Sequence, residues 1–403
     1  MIRWILFIVI VLCIDFYAFQ SVKTVTKNRI AFALYWLVSF VVLINFSYKI
    51  STFNRSDGLS QSVMLAFGFL VLSITPKIIS LVILFAEDIF RVFRGVFNYF
   101  SKTTTAVFLP ERRAFISKLA LGLAAIPFTS VLYGMVKGKY NYQVLKHTLF
   151  FDDLPAAFDG FKLTHISDIH SGSFDNASKI EHGIDLINEQ ESDVILFTGD
   201  IVNNKAEEMS PWISYFKKLK ANYGKYSVLG NHDYGEYVRF NSLEEKEENF
   251  KAIKEIHPKI GFDLLLNDSI YLEKEGEQIA IIGVENWGTR FKKAGNLNKA
   301  SSKIKKEDFK ILLSHDPSHW DNEVKNHRNN YQLTLSGHTH GMQFGIEIPG
   351  LKWSPVQYIY KQWAGIYKEF NRYINVNRGF GFLAFPGRVG IWPEITVITL
   401  KKK

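Results

Sequence analysis

Four long apolar runs are crowded into the first 135 residues of the chain, and this feature constrains its fold more than any other. Trp4–Phe19 is apolar almost throughout, broken late by Asp15. Ile30–Phe46 has 17 residues without a charge, and Val63–Leu84 has 22, interrupted by Pro76-Lys77. Leu119–Met135 adds another 17, richer in Gly, Ala and Pro. A helix that crosses a bilayer needs ~20 mostly apolar residues, with ~17 at the lower end. The runs therefore predict four spans, at 4–19, 30–46, 63–84 and 119–135, with three as the alternative because Lys77 interrupts the third. A cleaved export signal explains the first run and leaves the others unexplained.

Charge is divided in the same place. The whole chain carries a formal +9, but residues 1–147 hold 16 Lys/Arg against 5 Asp/Glu, and residues 148–403 hold 32 against 34. The basic excess thus belongs to the apolar part, which argues against a nucleic-acid partner, since that requires a basic patch on a folded domain. One cysteine, Cys13, excludes an internal disulfide framework or a Cys-rich zinc module. The expected organisation is a membrane region over 1–147 and one α/β domain over 148–403.

Loop charges orient the spans. The first loop (Lys23, Lys27, Arg29) and the third (Arg91, Arg94, Lys102, Arg112, Arg113, Lys118) carry nine Lys/Arg; the opposite side carries six. Positive charge stays on the cytoplasmic side, so a multi-pass protein with its C-terminal domain outside the cytoplasm is expected. Arg112-Arg113 before the last run resembles an internal twin-arginine export signal; the alternative is a pair of arginines anchoring a helix end. Phe90, Phe93, Phe97 and Phe100 recur at helical spacing, which suits a helix in the membrane interface or one packed against the spans. Asp15 and Lys77 receive no assigned role.

From about residue 150 short β-rich runs appear: Lys162–Ser167, Asp193–Thr198, Tyr226–Leu229, Ile279–Gly283, Phe309–Ser314, Tyr331–Ser336, Tyr373–Asn377 and Ile395–Leu400. Ala177–Gln190 reads as a helix with Ile180, Ile184 and Ile187 on one face. Ser242–Ile256 reads as another, opened by a possible Ser242/Glu245 capping box. Several strands are apolar on both faces, as in a sheet covered on both sides.

Most of these strands run into metal-capable residues: Asp168-Ile169-His170, Gly199-Asp200, Gly230-Asn231-His232-Asp233, Ser314-His315 and Gly337-His338-Thr339-His340. Taken singly, each is more often a satisfied structural residue. Five in order, each after an apolar strand, point to a metal site, because ligands gather beyond the carboxyl ends of strands in α/β sheets. Alternate residues at a strand end can aim the same way, which would serve Asp168/His170 and His338/His340. A bridging carboxylate offsets the repulsion between two close cations. Mixed carboxylate, imidazole and amide ligands suit Mn, Fe or Zn better than Ca or Mg.

This ordered series resembles the calcineurin-like metallophosphoesterase superfamily, over about residues 160–400. The ending Asn377-Arg378-Gly379-x-Gly381 and Pro393-Glu394-Ile395 is similar to a membrane-anchored bacterial branch, from which Met342 departs, since a glycine is usual there. The resemblance implies a four-layer α/β/β/α fold of two mixed sheets flanked by helices. It implies one divalent metal on Asp168, His170 and His340, another on Asn231, His315 and His338, and Asp200 between them. It further implies attack on phosphorus by a metal-bridging hydroxide, with His232 donating a proton to the leaving oxygen and Asp233 orienting it. Arg378 and Arg388 are candidate phosphate contacts. His147, His165, His182, His257, His319 and His327 fit no ligand position. The expected activity is hydrolysis of a phosphodiester or pyrophosphate, free or lipid-linked, with membrane lipid but no obligate protein among the implied partners. The alternatives are the same chemistry facing the cytoplasm and a catalytically silent scaffold.

Overall fold

The apolar runs become four helices, each longer than its run. The computed structural model describes residues 2–101 and 110–403. Its helices are α1 (Ile2–Val25), α2 (Arg29–Ser51), α3 (Gln61–Phe100) and α4 (Pro110–Val136), and all four are long and apolar enough to cross a membrane. Asn28 caps α2 by accepting a hydrogen bond from the Ile30 N–H at 2.8 Å. The 40 residues of α3 span about 60 Å at 1.5 Å per residue, roughly twice a bilayer core. Phe90, Phe93, Phe97 and Phe100 therefore lie on the extension of the third span, not on a separate helix, and their rings are exposed. Lys102 of the third loop lies outside the described residues.

The buried charges of this helical unit, Asp15 and Glu87, are paired. Lys77 Nζ sits 2.5 Å from Asp15 Oδ1 and donates to Ser39 Oγ and Ser73 Oγ, each at 2.8 Å. Arg113 meets Glu87 at 2.5 Å and Asp88 at 2.8 Å, while Arg112 lies 4.3 Å over the Phe90 ring. The two arginines thus hold α4 to α3.

The chain divides into two compact units. One takes in the helices up to Phe53 and from Ser62 to Val136; the other holds Asn54–Gln61 and Lys137–Lys403. The second unit begins earlier than residue 148, because that position falls inside its first strand. Its strands are β1 (Gln143–Phe151), β2 (Lys162–Ile166), β3 (Val194–Phe197), β4 (Lys225–Ser227), β5 (Asp263–Leu264), β6 (Asp268–Lys274) and β7 (Glu277–Gly283). There follow β8 (Lys310–Leu313), β9 (Leu333–Ser336), β10 (Ile346–Ile348), β11 (Leu351–Trp353), β12 (Gly365–Glu369), β13 (Arg372–Val376) and β14 (Glu394–Lys402).

They form two mixed six-stranded sheets, ordered β1-β14-β2-β3-β4-β5 and β12-β13-β9-β8-β7-β6, with β10–β11 as a separate hairpin. Side chains alternate between layers. Leu196 faces the core between the sheets while its neighbours Ile195 and Phe197 join Ile180, Ile184, Ile253 and Ile256 of the flanking helices. Likewise Ile311 and Leu313 face inward and Leu312 outward against Trp320. Every residue of β3, β8 and β9 is buried, as expected for strands covered on both faces. The flanking helices include α5 (Ala177–Asn188), α6 (Ile213–Phe216) and α7 (Leu243–Lys259). At the start of α7 Ser242 accepts from the Glu245 N–H at 3.0 Å, but the Glu245 carboxylate accepts from Asn241, so the box is only half made.

Candidate metal centre

The parallel strands of both sheets point their carboxyl ends at one place. Asp168 follows β2, Asp200 follows β3, Asn231 follows β4, His315 follows β8 and His338 follows β9. The backbone there is not extended strand: Asp168, His170, Asp200, His338 and His340 all have φ between 48° and 71°. The side chains are aimed by left-handed turns, so the alternation expected for Asp168/His170 and His338/His340 is not what converges them. Such strain persists only where the surroundings enforce it, and it concentrates at functional sites. Met342, at φ 54°, shares this geometry where glycine fits without strain. The preceding glycines are required by space. A Cβ on Gly230 would fall 2.2 Å from Asp200 Oδ1, and one on Gly337 the same distance from Asp168 Oδ2.

The result is two adjoining groups. Asp168, His170 and His340 form one, with His340 Nε2 3.3 Å and His170 Nε2 4.0 Å from Asp168 Oδ1. Asp200, His315 and His338 form the other, and Asn231 joins it, with Oδ1 2.7 Å from His338 Nδ1 and 3.1 Å from His315 Nε2. Asp200 Oδ2 faces both groups, 3.1 Å from His315 Nε2 and 3.6 Å from His170 Nε2.

Burial opposes charge throughout the cluster. Burial alone would raise the Asp200 pKa, but the surrounding His315, His232 and His170 rings outweigh it and hold the carboxyl well below its ordinary range. Asp168 is lowered in the same way, chiefly by His340 acting against burial. Burial drives His170 well below the usual imidazole range. Both ring nitrogens of His170, and His340 Nε2, are buried without a hydrogen-bond partner among the described residues. Unsatisfied buried polar atoms cost about 1–3 kcal/mol each. Unpartnered imidazole nitrogens facing carboxylate oxygens are the donor set a divalent cation takes, so these residues fit the metals that their chemistry implies.

The surrounding contacts sort the other candidates. His232 sits beside the centre, half-buried, its ring 4.9 Å from that of His170. Its Nδ1 is held 2.8 Å from the Asn203 carbonyl, so Nδ1 keeps its proton and Nε2 is the exchanging atom. Burial lowers its pKa. Asp233 does not orient His232. Its carboxylate instead accepts the N–H groups of Gly230 at 2.8 Å and of Asp200 and Ile201 at 2.9 Å, tying two ligand loops together. Arg378 is no free phosphate contact, because it is buried in ion pairs with Glu394 and, at 2.5 Å, Glu347. Arg388 is fully buried as well; it donates to the Gly381 carbonyl and lies 3.1 Å from His340 Nδ1, behind the ring.

Several supporting groups carried no sequence signal. The Thr198 carbonyl takes His315 Nδ1 at 2.7 Å, Tyr360 meets His338 Nε2 at 2.9 Å, and Tyr237 accepts from Asn231 Nδ2 at 2.8 Å while lying 4.3 Å from the His232 ring. These contacts fix which atom of each ligand faces the centre. Tyr237 is in turn touched by the α2–α3 linker: Arg55 Nε donates to its carbonyl at 3.4 Å, and the Arg55 carbonyl accepts from Arg239 at 3.2 Å. Of the histidines that fit no ligand position, His165, His257 and His319 are bonded to Thr198, Ser227 and Ser314 inside the layers.

Comparison with known proteins agrees with this arrangement. Residues 161–342 match the calcineurin-like phosphoesterase family, and residues 2–139 match the probable transmembrane domain of a calcineurin-like phosphoesterase. The metallophosphoesterase YkuE of Bacillus subtilis is 31% identical over 299 residues, covering 72% of this chain and 98% of YkuE. The chain belongs to the calcineurin-like phosphoesterase family. It is a membrane-associated phosphoester hydrolase. The phosphodiesterase YaeI of Escherichia coli is 25% identical, over 72% of this chain and 99% of YaeI. A transmembrane protein with a metallophosphoesterase domain from Danio rerio is 26% identical, over 69% of this chain and 62% of its own length.

Proposed function

We propose that the chain is a four-span membrane phosphoesterase that hydrolyses a phosphodiester or pyrophosphate outside the cytoplasm with two divalent ions. Asp168, His170 and His340 would hold one ion, Asn231, His315 and His338 the other, and Asp200 both. The observation that carries this reading is Asp200 Oδ2, placed between His170 of one group and His315 of the other. When bound, such ions lower the pKa of water and offset charge on phosphoryl oxygens. Mn, Fe and Zn all suit the donor set.

The chain's own residues supply the rest. Tyr237 and Tyr360 orient Asn231 and His338. Asp233 fixes the turns that carry Asp200 and Asn231. His232 moves a proton at Nε2, toward the leaving oxygen, with Nδ1 anchored by Asn203. The name of YaeI supports a diester as the substrate class.

One observation supports the orientation and a second the number of spans. The loop charges favour the first and third loops inside. The linker 54–61 and the segment after α4 fold into one compact unit, which requires them on the same side of the membrane, as four spans provide. The purified full chain with added Mn²⁺ should cleave a bis-aryl phosphodiester faster than an aryl monoester, and His232→Gln should slow it by about 10²-fold. No turnover on diester, monoester or pyrophosphate with both ions bound would reject the reading. A reporter fused after Lys139 that is active only in the cytoplasm would reject the orientation.

A further inference from the structure

The hairpin that follows His340 stands out from the domain, with all six residues of its two strands exposed. Its register pairs Ile346 with Trp353, Glu347 with Lys352 and Ile348 with Leu351. Opposite residues share a face, so Ile346, Ile348, Leu351 and Trp353 lie on one side and Glu347 and Lys352 on the other. The polar side, though itself exposed, is the one that reaches the domain: Glu347 pairs with Arg378, and Lys352 Nζ donates to the Ala364 carbonyl at 2.5 Å. The apolar side is exposed, with Ile348 59% and Leu351 48% accessible. Tyr358, 77% accessible, extends it through a 3.4 Å contact from Trp353 Nε1, and Ile359 follows. An exposed apolar face gathered on one side of a hairpin, with the polar side bonded to the domain, marks a surface that something covers.

We infer that this face docks into the surface of the bilayer, so that the metal centre takes its phosphoester from a membrane lipid. Three observations select the bilayer as the cover. The same chain carries four helices fit to cross a membrane, so a bilayer is always within reach. Aliphatic residues with one Trp and one Tyr are what the interface between lipid and water selects. The face has about six side chains, whereas a stable protein interface uses roughly 20–30 residues a side. The hairpin is also joined to the centre. Ser354 Oγ donates to the carbonyl of Gly341, next to His340, at 2.8 Å, and Tyr360 beside Ile359 reaches His338. This inference rests on the phosphoesterase reading for its substrate but not for its docking surface.

The test uses the full chain in phosphatidylethanolamine–phosphatidylglycerol proteoliposomes. With Cys13→Ser, a nitrobenzoxadiazole probe on Ile348→Cys should shift to the blue and be quenched by spin-labelled lipid, while a probe on Glu255→Cys of α7 stays in water. A water-like probe at 348 overturns the inference. So does a shielded probe that lipid does not quench, since a second copy or another protein would then be the cover. The double variant Ile348→Glu/Leu351→Glu should cut hydrolysis of a fluorescent diacylglycerol phosphodiester in the vesicles by about 10-fold or more. Its rate on soluble bis(p-nitrophenyl) phosphate should not change; equal loss on both overturns the inference. Because the probe does not depend on turnover, failure of the wild type on the soluble diester would strike the phosphoesterase reading alone.

Discussion

Asp15 and Lys77 bury opposite charges 2.5 Å apart among the helices, with Ser39 and Ser73 taking further ammonium protons. The candidate metal centre buries Asp168, Asp200 and three histidines, His170, His315 and His340, yet leaves nitrogens of His170 and His340 without partners among the described residues. The first cluster closes on itself; the second leaves donors open, as a site for the proposed cations would. A self-satisfied buried pair has a structural role, because each charge answers the other. An unsatisfied one is maintained by the surrounding fold for a ligand.

The largest effect is expected at Asp200. Asp200→Asn should lower kcat on an aryl phosphodiester by about 10³-fold with metal in excess, because it removes the charge that offsets two cations. A near-normal rate would mean that Asp200 is no more than structural. In the other cluster, Lys77→Met strands Asp15 and should cost about 3–5 kcal/mol, read as thermal unfolding in detergent. Adding Asp15→Asn should restore most of that loss, and the diester rate of the folded protein should be unchanged throughout. A Lys77→Met protein that is folded but inactive would give the pair a functional role.

Chelation sharpens the contrast. Restoring free Mn²⁺ to roughly 100-fold its Kd should stabilise the catalytic unit by about 2.7 kcal/mol over the chelated protein. The helical unit should not respond. A smaller effect is expected at Glu208, which accepts the N–H groups of Asn203, Asn204 and Lys205 below His232. Burial pushes its pKa up from 4.5 to about 7. The folded chain therefore keeps this proton when the unfolded chain has lost it. The stability it confers is complete below about pH 4.5 and lost as pH rises through about 7. Glu208→Gln should flatten that decline in a pH series of unfolding midpoints.

The ligands were legible because each follows an apolar strand, and strand ends are where an α/β sheet presents its side chains. The four spans were legible because their runs are long and uncharged. What was not legible depends on partners distant in sequence. β1 interrupts its apolar residues with the run Lys146-His147-Thr148 and is specified by its parallel pairing with β14, whose residues begin at Glu394. Arg378 reads as a free cation until Glu347 and Glu394 are brought to it. Asp233 reads as the partner of His232 because it is adjacent, whereas a carboxylate surrounded by four backbone N–H groups is committed to the turns. The β10–β11 hairpin alternates like any amphipathic strand pair, and no local pattern says which face reaches the domain.

If Asp200 joins two cations into one centre, the two should be magnetically coupled. Protein loaded with Mn²⁺ should give the electron paramagnetic resonance signal of an exchange-coupled pair, and Asp200→Asn should weaken or abolish that coupling. A wild-type spectrum of isolated, uncoupled Mn²⁺ at saturation would contradict the account.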